Sequence, residues 1–326
     1  MRYILGVDGG NSKTYAVIVD EKGNRIGHGI SGNGNHQGVG VDRFLENIQS
    51  AVDQALNEGG LQSGDISFAQ FGLAGADREK DYKILKASLA KLPFENWDVV
   101  SDALEGIRAG SPTNTGVVLV CGAGTNAAGK TKNGKTVQTG GFGYRFGDGA
   151  GGAFMADEAF RAAIRSWEYR GERTLLTEMI PRELGYQNIE ELYNYYIDNL
   201  NEKVPFEVTL ILHRAADKGD LVAMNILKKV GWELGIAANS VIKRLGGFDG
   251  ETIPIILVGS VLQEGKNPAL FEMLKKTIQD ENADYELINL EMEPVYGSVL
   301  LAMDKLSIEA DDTILNKFIS YGGYQS

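Results

Sequence analysis

The sequence predicts an α/β protein made of two related halves, and three observations support this prediction. The chain has 326 residues, which at about 150 residues per domain is enough for two domains with separate cores. Strand-like and helix-like segments alternate along much of the chain, as in layered α/β folds. The pattern that opens the chain, a strand followed by a small-residue tip and a second strand, returns after residue 113. We therefore place a boundary at residues 111–114 and expect domains at 1–112 and 113–326.

The first half begins with apolar, β-branched runs separated by Gly- and Asn-rich turns, which is typical of antiparallel strands. A helix follows, because Phe44, Ile48 and Val52 recur at helical spacing before a Gly-Gly stop. The expected elements are strands at 3–7, 14–19 and 25–30, a helix at 41–57, a strand at 66–71, a helix at 80–92 and a strand at 97–100.

The second half repeats the strand, tip and turn at residues 117–135 and then becomes helical. Periodic apolar positions predict a helical insertion at about 150–245, after which the strand and helix pattern returns. The expected elements are helices at 154–167, 190–200, 208–218 and 221–244, a strand at 253–258, a helix at 270–279, a strand at 285–290 and a helix at 297–306. The tail after Ser307 carries no clear pattern.

Composition excludes several classes of function. The chain has 44 acidic and 32 basic side chains, a formal charge of −12, so a nucleic-acid partner is not expected. The single cysteine, Cys121, cannot form an internal disulfide or a multi-thiolate metal site and suits a reducing cytoplasm. No signal-like segment opens the sequence, and its apolar run at 253–262 is too short to span a bilayer. We expect a cytoplasmic protein with no membrane partner.

The sequence Asp8-Gly9-Gly10-Asn11-Ser12-Lys13-Thr14 superficially suggests a P-loop. A P-loop needs Gly directly before the Lys and a helix afterwards, and this chain has Ser12 there and then a strand. We interpret the segment as a hairpin tip whose backbone N–H groups and hydroxyls bind phosphates. Asp8 would hold Mg²⁺ through water. The alternative is an ordinary hairpin turn. The expected phosphate-binding residues are Gly9, Gly10, Asn11, Ser12, Lys13 and Thr14.

A second tip, Gly122-Ala123-Gly124-Thr125-Asn126, stands at the corresponding place in the second half. The duplication favours the phosphate interpretation over two unrelated turns, and we include Gly122, Ala123 and Gly124 in the nucleotide site. Gly259-Ser260 ends a further strand, where α/β sheets bind nucleotides. There the alternative is a glycine that the turn alone requires.

Five motifs, taken in order, resemble a known family. They are residues 8–14, Ser101-Asp102-Ala103, residues 121–126, Gly140-Gly141-Phe142-Gly143 with Gly147-Asp148, and Gly259-Ser260. Together they resemble the N-acetylglucosamine kinases, grouped with the BadF/BadG/BcrA/BcrD-type ATPases in the actin-like ATPase and sugar kinase superfamily. The resemblance extends to about Met303 and implies two actin-like (ribonuclease H-like) domains that use ATP and Mg²⁺.

The resemblance also implies roles for individual residues. Asp102 would be the catalytic base that takes the proton of the sugar hydroxyl. Asn35 and Asp148 would hydrogen-bond sugar hydroxyls, in a pocket that Thr125, Asn126 and Gly141 also line. The chain departs from the family pattern at Ala123, where a threonine is common, and at Gly149-Ala150, where Glu-Gly is common.

Each of these assignments has a simpler alternative. Asp102 and Asp148 are both placed where a side chain could cap a following helix, and His36 is interpreted as a loop histidine without a role.

The sequence therefore predicts an ATP-dependent kinase that phosphorylates an amino sugar, with O6 of N-acetylglucosamine as the first candidate. The alternatives are a kinase for glucosamine, N-acetylmuramic acid or another hexose, and an ATP-hydrolysing activator or switch protein. Activators of the same group need cysteines for a shared iron-sulfur cluster, which a single Cys121 argues against. The expected partner is a small-molecule sugar, and the oligomeric state, a homodimer included, is open.

Overall fold

The computed structural model describes residues 1–265, 267–282 and 284–322, which form two compact units. The first unit comprises Met1–Val118, Gly129–Thr136 and the chain from Leu287 onward. The second unit comprises Leu119–Ala128 and Val137–Glu286.

Strands and helices alternate at both ends of the chain, and helices fill the middle. The strands are β1 (Tyr3–Gly9), β2 (Thr14–Asp20), β3 (Arg25–Ser31), β4 (Ile66–Leu73), β5 (Trp97–Ser101), β6 (Gly116–Cys121), β7 (Thr125–Lys130), β8 (Thr136–Gly140), β9 (Ile253–Val258) and β10 (Tyr285–Asn289). The helices are α1 (His36–Val39), α2 (Val41–Gly59), α3 (Glu79–Leu89), α4 (Asp102–Gly110), α5 (Gly152–Trp167), α6 (Leu176–Glu183), α7 (Ile189–Asp198), α8 (Glu207–Asp217), α9 (Leu221–Leu245), α10 (Ser260–Gln263), α11 (Pro268–Gln279), α12 (Val295–Lys305) and α13 (Asp312–Ser320).

The first sheet has the strand order β3-β2-β1-β4-β5. Strands β1, β2 and β3 pair antiparallel, as their short turns require. Strands β4 and β5 continue the sheet in parallel with β1. The register pairs Asp8 with Gly72 and Gly72 with Val100, so the carboxyl ends of β1, β4 and β5 share one edge of the sheet. Loops at that edge are the usual place for ligands in α/β sheets.

The second sheet repeats this order. Its strands run β10-β9-β6-β7-β8, which from the other side is third, second, first, fourth and fifth in chain order, as in the first sheet. The duplicated start predicted from the sequence is therefore the start of a duplicated sheet. The described chain between β8 and β9 contains α5 to α9, at the position of the expected helical insertion.

The C-terminal segment groups with the first unit, which differs from the predicted boundary. Sequence analysis assigned residues 113–326 to one domain, whereas α12 packs on β1 and the chain from Leu287 onward belongs to the first unit. The physical reason is that the first sheet has two apolar faces. One is covered by α2 and the other by the C-terminal helices, in a core that contains Ile4, Val17, Val19, Val295, Tyr296, Val299, Met303 and Phe318.

Helices α1, α6 and α13 were not among the predicted elements. Helix α6 contains Pro181, a residue that ordinarily interrupts helices, and α13 lies in the tail that showed no pattern. None of the helices in the described ranges combines the length and apolar character that crossing a bilayer demands.

Candidate functional site

The first tip, residues 8–14, joins β1 to β2 as predicted. Its turn is closed by the Gly10 N–H, which donates to the Lys13 carbonyl at 2.9 Å, and Asn11, Ser12 and Lys13 are exposed. Thr14 differs from the prediction of a phosphate-facing hydroxyl. It is buried, and its hydroxyl donates to the Gly32 carbonyl at 2.8 Å, so it stabilises the base of the tip.

The two glycines of the first tip have different surroundings. A Cβ at Gly9 would lie 2.6 Å from Cδ2 of Leu73 and 3.2 Å from the Gly34 carbonyl oxygen. A Cβ at Gly10 would meet only the Lys13 carbonyl oxygen, at 3.5 Å. Packing therefore requires glycine at position 9, whereas Gly10 faces open space above the turn.

Two carboxylates of the first unit lie at the shared edge of its sheet. Asp8 is the next-to-last residue of β1, and Asp102 directly follows β5. Burial, and then the charge of Asp102, raise the pKa of Asp8 to about 7. Burial, and then the charge of Asp77, raise the pKa of Asp102 to about 6. The negative charge of Asp102 therefore acts on Asp8, and the two carboxylates would together stabilise a nearby cation.

The capping alternative for Asp102 is only partly realised. The residue at the N-cap of α4 is Ser101, and Asp102 is the first helical residue. The Ala103 N–H donates to Asp102 Oδ1 at 2.8 Å, and the Ser101 hydroxyl donates to the same oxygen at 3.2 Å. These contacts hold the carboxylate at the end of β5 through Oδ1 alone.

Sequence reasoning missed Glu105, a fully buried acid one helical turn after Asp102. The Ser298 hydroxyl donates to Glu105 Oε2 at 2.7 Å, and Oε1 is buried without a hydrogen-bond partner. A Cβ at Gly72 would lie 1.5 Å from Oε2, so this carboxyl occupies the side-chain position of residue 72. Because Gly72 pairs in register with Asp8, Glu105 lies beside Asp8.

The electrostatics of Glu105 agree with that position. Burial, and then the charge of Asp8, hold its pKa well above the ordinary value for a glutamate. The spacing Asp102-x-x-Glu105 could have indicated this neighbour, since residues i and i+3 share a helix face.

The donor set of the first unit can be tested for a metal ion. In residues 1–265, 267–282 and 284–322, no three His, Cys, Asp or Glu side chains converge as metal ligands. A single carboxylate at Asp8 fits Mg²⁺, which usually retains several waters and takes one or two protein carboxylates.

Asn35 lies against the first tip. Its Nδ2 donates to Oδ1 of Asn11 at 2.9 Å, and its Oδ1 accepts from the Gln37 N–H at 2.9 Å. His36, next to it, is buried, with Nε2 3.7 Å from Asp81 Oδ1 and its ring edge-on to Phe44. The structure thus joins Asn35 to the predicted phosphate loop and gives His36 a packing role.

The second tip, residues 122–126, is bonded to the start of α5. The Gly152 N–H donates to the Gly122 carbonyl at 2.7 Å, and the Ala153 N–H donates to the Ala123 carbonyl at 3.0 Å. A Cβ at Gly122 or Gly124 would meet nothing within 4 Å. The space above this tip is therefore open, like the space above Gly10.

The end of β9 lies directly beside the second tip. Gly259 has φ +99°, and a Cβ there would lie 2.4 Å from the Cys121 carbonyl oxygen, so the backbone conformation and the close approach both require glycine. Ser260, the next residue, is exposed. Burial raises the pKa of the Cys121 thiol to about 12, and the thiol therefore stays protonated.

Asp148 organises the loop that follows β8. Its Oδ2 accepts from the N–H groups of Gly141 and Gly143, at 3.1 and 2.6 Å. The alternative that Asp148 caps the next helix is wrong, because α5 begins at Gly152 with Gly151 at its N-cap.

A cleft in the second unit gathers Asp148 with other predicted substrate residues. Oδ1 of Asn126 is buried without a hydrogen-bond partner, and the Thr125 hydroxyl donates to the Val120 carbonyl at 3.0 Å. The residues around the cleft include Thr125, Asn126, Gly140, Asp148, Gly149, Glu233 and Ser240. Gly141 belongs to the same neighbourhood, since a Cβ there would lie 3.3 Å from Cβ of Asn126.

The structure therefore brings the predicted site residues together in two groups. The first unit contains the first tip with Asp8, Asn35 and Asp102, and the second unit contains the second tip with Gly141, Asp148, Gly259 and Ser260.

The chain contains two sheets of this strand order, each with a glycine-rich tip between its first two strands. This duplicated arrangement defines the actin-like class of α/β proteins. Within that class, the chain belongs to the BadF/BadG/BcrA/BcrD ATPase family, whose model matches residues 5–302.

Two relatives match over nearly their whole length. The N-acetylmuramic acid/N-acetylglucosamine kinase of Clostridium acetobutylicum is 27% identical over 304 residues, covering 93% of this chain and 98% of that protein. The N-acetyl-D-glucosamine kinase of Dictyostelium discoideum is 26% identical over 312 residues, covering 92% and 97%.

A solved structure shows the same fold. The crystal structure of a candidate N-acetylglucosamine kinase from Chromobacterium violaceum superposes with a TM-score of 0.71 at 19% identity, covering 93% of this chain and 99% of that one. At that identity the likeness concerns the fold alone.

Proposed function

We propose that this chain is an ATP-dependent carbohydrate kinase that transfers the γ-phosphoryl group of ATP to a hydroxyl of an amino sugar. N-acetylglucosamine and its O6 are the first candidates. The observation that carries the proposal is Asp102, a desolvated carboxylate at the sheet edge next to Asp8 and the first tip. The names of the two relatives with near-complete coverage support the same class of substrate.

Asp102 would act as the general base. With a pKa raised to about 6, it is ionised at neutral pH and is a stronger proton acceptor than an ordinary aspartate. The Ala103 N–H and the Ser101 hydroxyl both bond to Oδ1, so Oδ2 would take the proton of the sugar hydroxyl. As the new O–P bond forms, the bond to the β-phosphate oxygen breaks and ADP leaves.

Each tip would bind phosphate oxygens through its backbone N–H groups, which suit such oxygens. Lys13, whose Nζ lies 3.7 Å from Oε1 of Glu293, is exposed on the first tip and adds a positive charge. Asp8 would hold Mg²⁺ through water, and a bound Mg²⁺ supplies charge neutralisation for the phosphates.

Each unit offers candidate sugar-binding side chains with fixed hydrogen-bonding geometry. Asn35 is fixed by Asn11 and Gln37, and Asp148 is fixed through Oδ2 by the loop N–H groups. The buried Oδ1 of Asn126 is an acceptor that a sugar hydroxyl or amide N–H would satisfy, since unpaired buried acceptors are costly.

The assay that tests the proposal measures ADP release with a panel of amino sugars and hexoses, followed by NMR of the product to locate the phosphate. We expect sugar-dependent ADP release and an O6 phosphate. ATP hydrolysis that no sugar stimulates would contradict a kinase and favour the switch protein. The buried, protonated thiol of Cys121 offers no support for an activator that needs cysteine ligands.

The open space at Gly10 gives a prediction about nucleotide binding. Gly10→Val should lower ATP affinity, because the new side chain would occupy the space above the first tip while sugar binding is retained. Isothermal titration calorimetry with a non-hydrolysable ATP analogue and with sugar would measure both affinities. Gly64→Val is the matched control, since a Cβ at Gly64 also meets nothing within 4 Å and lies outside the proposed site. Unchanged nucleotide affinity in a folded Gly10→Val protein would remove the first tip from the phosphate site.

A further inference from the structure

Glu233 of helix α9 places its carboxylate in the cleft of the second unit. A Cβ at Gly149 would lie 2.4 Å from Oε1, 2.5 Å from Cδ and 2.9 Å from Cγ of Glu233. The Glu233 side chain therefore fills the place that a side chain at position 149 would take. No motif marked Glu233 in the sequence, because its position depends on a glycine 84 residues earlier in the chain.

Glu233 shares its cleft with the predicted substrate residues. Thr125, Asn126 and Asp148 line the same cleft, and Glu233 is half-buried there. Burial raises the pKa of Glu233, Lys229 opposes this shift, and the charge of Asp148 adds to it. The two carboxylates thus repel each other across the cleft.

Lys229, the cation whose charge opposes the pKa shift of Glu233, is already engaged. Lys229 lies one helical turn before Glu233, its Nζ is 3.4 Å from Oε2 of Glu158, and it also lies over the Phe154 ring. The described residues that line the cleft include the carboxylates of Asp148 and Glu233 and no Lys or Arg, so this lining presents net negative charge. A third negative charge would be disfavoured, a neutral polyol would find acceptors, and an ammonium group would be attracted.

We propose that Glu233 is a specificity-determining residue that selects sugars by charge, disfavouring those with a carboxylate and favouring neutral or cationic amino sugars. This inference rests on the proposed kinase function and narrows its substrate class. It separates N-acetylglucosamine and glucosamine, which are neutral and cationic, from N-acetylmuramic acid, which carries a lactyl carboxylate.

The test compares these three sugars, which share a ring and differ in charge, by measuring kcat/KM for each. Glu233→Gln keeps the shape of the side chain and removes its charge. We expect the ratio of N-acetylmuramic acid to N-acetylglucosamine to rise about five- to tenfold, as for a single charge pair in a partly hydrated cleft. The ratio of glucosamine to N-acetylglucosamine should fall.

Gly149→Ala provides a second variant if Glu233→Gln does not fold. It keeps the charge but displaces the carboxylate, so it should change the same ratios. Glu190→Gln removes an exposed carboxylate on α7 and should change neither ratio.

The possible outcomes distinguish this inference from the proposed function. If the wild-type protein phosphorylates none of the three sugars, the kinase proposal for amino sugars fails. If it phosphorylates N-acetylglucosamine but the ratios stay the same in Glu233→Gln and Gly149→Ala, or all three sugars lose activity equally, charge selection by Glu233 is wrong and the kinase proposal stands.

Discussion

Replacing Asp102 by asparagine is expected to lower kcat by ~10²–10⁴-fold, the usual loss when a general base is removed. The amide retains the shape of the carboxylate and can still hydrogen-bond the sugar hydroxyl, but it cannot take the proton. Affinities for ATP and sugar should therefore stay close to wild type. Initial-rate kinetics with N-acetylglucosamine, together with calorimetric binding of both ligands, would separate kcat from affinity.

Asp98→Asn is a suitable control for Asp102→Asn, because Asp98 lies on the same strand and its carboxylate is 3.0 Å from Lys305 Nζ. It removes a carboxylate from β5 without touching the proposed base. Near-normal turnover of a folded Asp102→Asn protein would restrict Asp102 to a role at the helix start.

The pH dependence supplies a related check. Because the pKa of Asp102 is raised to about 6, the base form is lost as the pH falls through that value. With Mg²⁺ saturating, so that Asp8 stays ionised, the wild-type kcat/KM should decline below about pH 6, and the residual activity of Asp102→Asn should lack that decline.

Replacing Asp8 by asparagine is expected to change activity and stability in opposite directions. Loss of a carboxylate that holds Mg²⁺ through water should weaken the metal by ~10–100-fold, the usual effect of removing an outer ligand. At pH 8 and without ligands, however, the variant should be more stable than wild type by about 1 kcal/mol after discounting for partial exposure. For a unit of this size that is about 2–4 °C in melting temperature.

The sign of the stability change follows from the pKa of Asp8, raised from 3.8 to about 7. Between these values the folded protein binds a proton that the unfolded chain has released. The contribution of Asp8 to the free energy of unfolding is therefore fully present below pH 3.8 and is lost as the pH rises through 7. The advantage of Asp8→Asn should therefore shrink between pH 8 and pH 5. Differential scanning calorimetry at both values would measure it, with Asp53→Asn, exposed on α2, as control. A lower melting temperature for Asp8→Asn at pH 8 would mean that the ionised carboxylate stabilises the fold.

Local pattern predicted much of the fold. The strands around both tips, the helical insertion and the placement of Asp102 after β5 follow from apolar periodicity and turn residues within short windows. The pairing of strands that lie far apart in the sequence cannot be predicted from such short windows. The pairing of β1 with β4 and the packing of α12 on β1 join segments that no single window contains.

The candidate site likewise contains residues that local pattern predicted and residues that it did not. Asp8 and Asp148 were predicted because each stands in or next to a glycine-containing motif, and Asp102 was predicted because it follows a strand in the motif Ser101-Asp102-Ala103. Glu105 and Glu233 were missed because each acquires its position from a distant glycine, Gly72 or Gly149, that leaves room for its carboxyl group. Thr14 was assigned a phosphate contact because the sequence does not show that its hydroxyl is used by Gly32.

The return of the C-terminal segment to the first unit has a consequence for synthesis on the ribosome. The apolar face formed by Ile4, Val17 and Val19 is covered by residues of α12 and α13, which are translated after the second unit. Until those helices emerge, the nascent first unit exposes one side of its sheet, and exposed apolar surface on partly made chains promotes aggregation and chaperone binding. The second unit, whose segments end at Glu286, can complete its core earlier, so the unit translated first is the last to finish folding.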